Sequence, residues 1–477
     1  MAKKIIIIGA GISGLSTAYF LKENAAEKGI DIDLTVIEKS RYLGGNIRTE
    51  KSDKYLIEAG PDSFLSEKPW AMALCKRIGL TEELLPTNAE HQKTYIYSKK
   101  KLHPMPEGLI LMVPTKVMPL AYSSLLSWPG KIRMGLEMFI PKRKSTHDES
   151  FAHFVKRRLG NEALVKIAEP FIAGVHGGDP EKMSIKASFP KFVQMEEEHG
   201  SLIKGMIKRM ASFRKMMESK KDGDSAPKVR TTMFMSLKGG MTVLVETLVS
   251  KLDGVHLRTE TTATDIKQTD NGYKVLIEGE SPMEADTVIV CAPAYSASTL
   301  LTNLSRPLHE KLLTIPYTST STVSMVFKRS QIKNSLDGFG FVVPKAEGKR
   351  IIGSTWSSIK WADRAPDDEL LLRCFVGGAL HEKLLEKSDD EIMDIVLEDL
   401  RSIMEIEGEP VMKKMFRYKK AMPQYTIGHE ERIEGIEFEL KSFENLYLTG
   451  SAYHGIGISD TVREAESTAK KALGIDE

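Results

Sequence analysis

Ile5-Ile6-Ile7-Ile8-Gly9-Ala10-Gly11-Ile12-Ser13-Gly14 is the stretch of this 477-residue chain whose reading decides the fold. A continuous apolar run ending in glycine is the pattern of a strand buried on both faces. The helical spacing from Ile12 to Lys22 then supplies the crossover of a βα unit. Gly9 permits the tight turn, Gly11 lets the backbone approach a pyrophosphate, and Gly14 lets the helix pack closely on the strand. Amide groups at the helix start, those of Ile12 and Ser13 among them, bind the phosphates. Asp33-Leu34-Thr35-Val36-Ile37-Glu38 forms the next strand, and the carboxylate at its end accepts the ribose hydroxyls of an adenosine. The glycine pattern alone is weak in a chain with 36 glycines, where a plain turn is the alternative. The strand before it and the helix after it decide for a dinucleotide-binding unit.

The chain continues Glu38-Lys39-Ser40-Arg41-Tyr42-Leu43-Gly44-Gly45-Asn46-Ile47-Arg48-Thr49. This resembles the extension that follows the Rossmann unit in the amine oxidase and protoporphyrinogen oxidase superfamily of flavoproteins. The resemblance implies FAD rather than NAD, with Gly44 and Gly45 bringing backbone to the pyrophosphate and Lys39 and Arg41 beside the cofactor. Asn46 stands where the family often has a basic residue, so a neutral contact replaces a charged one or Arg48 supplies the charge. The alternative makes Arg41 and Arg48 ordinary surface charges.

Glu58-Ala59-Gly60-Pro61-Asp62-Ser63-Phe64 is similar to a signature of bacterial porphyrinogen oxidases, in which Gly60, Pro61, Asp62 and Ser63 would pass beside the flavin. Asn445-Leu446-Tyr447-Leu448-Thr449-Gly450 reads as a strand, followed by the turn Gly455-Ile456-Gly457-Ile458-Ser459-Asp460 and a helix. A helix beginning near Ser459 aims its positive end at the flavin pyrimidine. Ser451 occupies the place where many flavoproteins carry an acid. Further shared segments are Leu102 to Gly108, Glu169 to Asp179 and Ala421 to His429. The resemblance, which spans the chain, is to the flavin-dependent porphyrinogen oxidases of haem synthesis, especially the Gram-positive bacterial type acting on coproporphyrinogen III. It also carries Ala263 and Tyr418 over as cofactor contacts.

Composition narrows the rest. A formal charge of +2 without a long basic stripe argues against nucleic acid as a main partner. Cys75, Cys291 and Cys374 lie far apart without a C-x-x-C pair, which points to a reducing compartment, buried apolar roles and no metal site. Lys3 and Lys4 before the apolar run imitate a secretory signal, but the run passes into the glycine fingerprint without a cleavage site. No stretch reaches the roughly eighteen apolar residues of a membrane span. Leu109 to Pro129 comes nearest and reads as a soluble helical subdomain, with a surface anchor as the alternative. The expected location is the cytoplasm, with peripheral contact at the inner face of the membrane as the alternative.

The expected fold class is α/β, a Rossmann-like FAD-binding domain with an interleaved α+β substrate domain and a helical subdomain, in the amine-oxidase-like or p-hydroxybenzoate-hydroxylase-like architecture. Residues 1–69, 231–298 and 430–477 are expected to bind FAD, 70–84, 181–230 and 299–429 to bind substrate, and 85–180 to form the helical subdomain. Val255 to Ile266 reads as one strand, Ala285 to Pro293 as another, and Asp389 to Ile403 as a helix. No internal repeat is visible.

The resemblance implies oxidation of CH–CH groups of a porphyrinogen by successive hydride transfers to FAD, with dioxygen reoxidising the cofactor and releasing hydrogen peroxide. Pyrrole N–H groups shed protons as conjugation grows, so the protein needs to orient the ring rather than supply a general base. Trp356, Trp361 and Phe375 are expected to sandwich the macrocycle and Lys68 to meet a propionate; packed core and a solvated lysine are the alternatives. Basic residues from Lys204 to Lys228 and Lys99 to Lys101 would meet the extra charge of a tetrapropionate, or form solvated faces. Ser451-Ala452-Tyr453-His454 lacks the cysteine that amine oxidases use for covalent attachment, so FAD is expected to be non-covalent. Protoporphyrinogen IX, an amine or a polyene are the alternative substrates, and hand-over of product to another haem-synthesis enzyme is a possible partnership. A lipidated-protein binder of the same fold, without redox chemistry, is a reading from another class.

Overall fold

The computed structural model describes residues 2–110, 112–219 and 230–475. They divide into two compact units. The first comprises residues 1–87, 231–317 and 430–477, and the second residues 88–230 and 318–429.

The apolar run of the opening motif becomes the central strand of the first unit. We label the strands of its sheet β1 (Lys3–Ile8), β2 (Ile32–Ile37), β3 (His256–Arg258), β4 (Thr287–Val290) and β5 (Leu446–Leu448). Their order is β3-β2-β1-β4-β5, and every pairing is parallel. Ile5 and Ile7 are fully buried because helices cover both faces of such a sheet. The opening helix, Ile12–Lys28, follows β1, and the closing helix, Ile458–Ala472, follows β5. Both therefore begin at the carboxyl edge of the strands, where open parallel sheets bind ligands.

The run Val255 to Ile266 is two strands rather than one. His256–Arg258 joins the parallel sheet, and Ala263–Thr269 starts an antiparallel meander with Gly272–Ile277 and Met283–Ala285. The break falls at Glu260, whose φ of 51° no strand accommodates. There the chain bends to give the Glu260 and Thr261 amides to the carbonyls of Ser40 and Glu38.

Residues 70–84 and 299–317 were expected with the substrate-binding part, and both lie in the first unit. Specific contacts hold them there. The helix Pro69–Arg77 is tied to the closing helix by Arg77–Glu466 at 3.2 Å, and Lys311 pairs with Glu439 at 2.6 Å.

The second unit is built on a seven-stranded sheet ordered Met412–Pro423, Tyr317–Lys328, Glu369–Gly377, Ile351–Trp356, Gly338–Val342, Lys93–Ser98 and Lys101–Pro104. The last two strands come from the region expected to form a separate helical subdomain, so that region is continuous with the sheet. The helix Asp389–Met404 packs Ile392, Val396 and Leu400 into one core of this unit. A second core gathers Phe151, Phe154, Phe192 and Leu202 from its helices.

Candidate flavin site

The phosphate-binding end of the site is made by close backbone approach. A β-carbon on Gly14 would lie 1.9 Å from the Gly9 carbonyl oxygen, so only glycine lets the opening helix meet the turn after β1. Gly11 forms an isolated bridge with Gly44, and the Gly44 amide donates to the Ala10 carbonyl at 2.7 Å. A β-carbon on Gly45 would lie 3.1 Å from the Gly11 α-carbon, so the two glycine motifs of the sequence form one cradle. No described side chain caps the opening helix and no acid lies in its first turn, which leaves its positive end for a phosphate. The Ser13 hydroxyl is buried at this helix start, with the weakly accepting Cys291 thiol beside it. A hydroxyl so placed has bonding capacity left for a phosphate oxygen.

Glu38, half-buried at the end of β2, accepts from the Ala10 and Ser40 amides, both at 2.9 Å. These bonds orient the carboxylate and leave lone pairs on each oxygen for ribose hydroxyls. Lys39, Asn46 and Arg41 are exposed. Arg41 bonds the Tyr42 hydroxyl and lies 4.5 Å from that ring, and Arg48 pairs with Glu50 at 2.6 Å. Arg48 thus already has a carboxylate partner in the chain. Ala263 is half-buried where the meander begins.

The flavin-side segments are anchored from beneath. Glu58, buried, accepts from the Met241 amide and the Thr49 hydroxyl, both at 2.8 Å, and so holds the start of the helix Thr242–Ser250. Gly60 follows, buried, with Pro61, Asp62 and Ser63 half-buried. The Asp62 carbonyl accepts from Ser236 at 2.7 Å, and Ser63 donates to the Asp62 carboxylate at 2.7 Å.

On the other side of the sheet centre, a β-carbon on Gly450 would stand 3.8 Å from the Ser13 hydroxyl. Here the segment after β5 approaches the opening helix. The turn through Gly455 and Ile456 leads to Gly457, the N-cap of the closing helix, whose first residues are Ile458 and Ser459. No described side chain caps this helix either. Ser459 is buried and donates to the Lys68 carbonyl at 3.2 Å. His454 is engaged with Glu437 at 2.9 Å.

The candidate substrate residues differ in burial. Trp356 and Trp361 are 0% and 1% exposed. Trp356 packs 5.7 Å from Tyr95, and the Lys360 ammonium lies 4.8 Å from the Trp361 ring. Trp356 ends the strand Ile351–Trp356 and packs into a core of the second unit, and Trp361 caps the short helix Ser357–Lys360 in the same unit. Phe375 is half-buried, with the Arg373 guanidinium 4.8 Å from its ring. Lys68 is not a solitary cation, since its ammonium lies 2.5 Å from the buried carboxylate of Asp460. Tyr418 belongs to the strand Met412–Pro423 of the second unit, and the cradle belongs to the first. Lys99 and Lys100 make a hairpin turn at positive φ, and Lys204 is exposed. Lys220, Lys221 and Lys228 lie outside the described residues.

Glu58 and Asp460 stand inside the quoted motifs, yet motif reading gave neither a role of its own. The signal for Asp460 was an acid in the first turn of a helix expected to present positive charge. Burial pushes the thiols of Cys75, Cys291 and Cys374 up to about 12, so each stays protonated at neutral pH. Among the described residues no group of side chains could hold a metal ion, and no helix is long and apolar enough to cross a membrane.

Comparison with known proteins agrees with this geometry. Residues 12–473 match the family of flavin-containing amine oxidoreductases. The coproporphyrinogen III oxidase of Bacillus subtilis (strain 168) is 36% identical, over 99% of this chain and 98% of its own. That of Staphylococcus aureus is 34% identical over 99% of both chains. A crystal structure from Exiguobacterium sp. 255-15, proposed to be a protoporphyrinogen oxidase, superposes with a TM-score of 0.85 at 30% identity, covering 99% of each chain. The uncapped helix starts, the glycine cradle and Glu38 fit FAD, and FAD is the cofactor. The chain belongs to the flavin-containing amine oxidoreductase family.

Proposed function

We propose that this chain oxidises coproporphyrinogen III to coproporphyrin III in haem synthesis, with dioxygen as the final acceptor and hydrogen peroxide as the by-product. The observation that carries the substrate is its 36% identity, across 99% of the chain, to the Bacillus subtilis coproporphyrinogen III oxidase. Bound FAD supplies hydride acceptance from the macrocycle. The residues of the chain position and polarise. The start of the opening helix and Glu38 hold the adenosine diphosphate portion, while the positive end of the closing helix favours negative charge on the flavin. No side chain is assigned as a general base. The engagement of His454 with Glu437, and the absence of cysteine from residues 450–460, support non-covalent FAD. Acid precipitation is expected to leave the yellow colour in the supernatant.

Porphyrin fluorescence formed in air, with autoxidation subtracted, tests the substrate. Faster turnover of coproporphyrinogen III than of protoporphyrinogen IX at equal concentration supports the proposal. The reverse order moves the chain to the activity proposed for its Exiguobacterium neighbour, and no enzyme-dependent signal removes both.

A second element of the proposal is peripheral contact with an anionic lipid surface from the cytoplasmic side, from which product passes to the next haem-synthesis enzyme. In the second unit, Trp128, Ile132, Leu136 and Phe139 recur at helical spacing along Trp128–Gly135 and Leu136–Phe139. They are 64%, 60%, 48% and 80% exposed, and Met118 and Tyr122 on a neighbouring short helix are exposed too. Exposed Lys116, Lys142 and Lys144 flank this apolar stripe. An apolar face bordered by lysines is the pattern of an interfacial helix.

A further inference from the structure

We propose that Lys68 and Asp460 form a positioning pair that holds the start of the closing helix in place and free of net negative charge, and thereby raises the reduction potential of the bound flavin. The inference rests on the FAD reading above and on nothing about the substrate. Asp460 is the third residue of the closing helix, and its side chain is only 7% exposed. An acid in that position cancels part of the helix's positive end. Lys68 answers it, with Nζ 2.5 Å from Oδ2. The carboxylate is folded back on the glycine turn. A β-carbon on Gly455 would lie 2.3 Å from the Asp460 β-carbon, and Gly455 itself adopts a φ of 145°.

The same two segments are also joined through the backbone, because Ser459 donates its hydroxyl to the carbonyl of Lys68. Further along, the Arg463 guanidinium lies 5.0 Å from the Trp70 ring, and Arg77 meets Glu466. The helix Pro69–Arg77 is therefore registered on the closing helix from its first residue, with the ion pair at the end nearest the cofactor edge of the sheet. Removing Lys68 would leave a buried carboxylate uncompensated at the start of the helix whose positive end would face the bound flavin. That penalises the reduced flavin and leaves the oxidised form untouched.

The test uses flavin-loaded K68M, K68R, D460N and the K68M/D460N double variant, with no porphyrinogen present. The two-electron midpoint potential is measured by equilibration with a reference dye, and sulfite affinity is measured from bleaching of the flavin band. K68M is expected to destabilise the reduced flavin about tenfold, a fall of about 30 mV for a two-electron couple, and to weaken sulfite binding by a similar factor. K68R should stay near the parent, and D460N should restore the double variant. An unchanged potential and an unchanged sulfite affinity in K68M would overturn the proposal. Loss of thermal stability in K68M at constant potential would overturn it in favour of a purely structural pair.

Discussion

Gly14 admits no side chain, because the methyl of alanine would enter the Gly9 carbonyl. G14A is expected to force the opening helix off the sheet at a cost of about 1–3 kcal/mol and to purify with little flavin. The ratio of flavin absorbance to protein absorbance reads this directly. Glu38 works through charge and orientation together. E38Q keeps the size of the side chain but loses the charge-assisted bonds from Ala10 and Ser40. FAD affinity should fall about tenfold, the effect of losing roughly 1.4 kcal/mol, as read by quenching of flavin fluorescence on titration. Both residues were legible in the sequence because their roles depend on neighbours a few positions away. Lys68 was legible as a cation beside the flavin loop. Its carboxylate partner was not, since the two lie 392 positions apart.

At the scale of elements, a buried charge cluster in the second unit joins three helical segments. Glu137, 0% exposed, accepts from Arg158 Nε at 2.8 Å and also bonds Arg158 Nη2. It accepts in addition from the Ser201 hydroxyl at 2.6 Å and the Leu202 amide at 2.8 Å, at the start of the helix Leu202–Ser219. E137Q leaves the fully buried Arg158 guanidinium with only the Glu196 carboxylate, 3.5 Å from Nη1, as counter-charge. The expected loss is about 3 kcal/mol, the low end for breaking a buried pair, measurable by chemical denaturation. The exposed stripe on Trp128 to Phe139 makes the opposite case, an element whose outer face is left exposed by the described residues. The W128E/I132E variant is expected to lose co-sedimentation with vesicles containing phosphatidylglycerol while keeping its turnover in detergent. Retained sedimentation would exclude this stripe as the contact.

For the molecule as a whole, acidification should be destabilising. Burial opposes ionisation of Glu196 and Glu162, but bonds from Arg157 to the first, and from Lys166 and Ser127 to the second, outweigh it. Both carboxyls are held below the usual range. A depressed native pKa contributes stability that is present above the unfolded value, about 4.3 for glutamate, and lost as pH falls through the native value. The melting temperature should therefore drop as pH is lowered from about 6 to about 3. In E196Q the slope of that drop should be shallower, because the variant has no carboxylate left to protonate at this position.

The cofactor unit was readable along the chain because each of its signals is local. A buried strand announces itself as four isoleucines, a tight turn as glycine, and a ribose acceptor as the acid ending the next strand. The splitting of Val255 to Ile266 was hidden because the bend at Glu260 follows from where Glu38 and Ser40 accept its hydrogen bonds. The placement of residues 70–84 and 299–317 in the first unit was hidden for the same reason, since side chains from other segments hold them. Trp356 and Trp361 show the limit most directly. Their sequence context fits a chamber wall and a core equally well, and only the packing of the second unit leaves them 0% and 1% exposed. Local periodicity and backbone sterics were written in the sequence itself. Burial and charge pairing are properties of what the folded chain brings alongside, and the tertiary structure alone decided them.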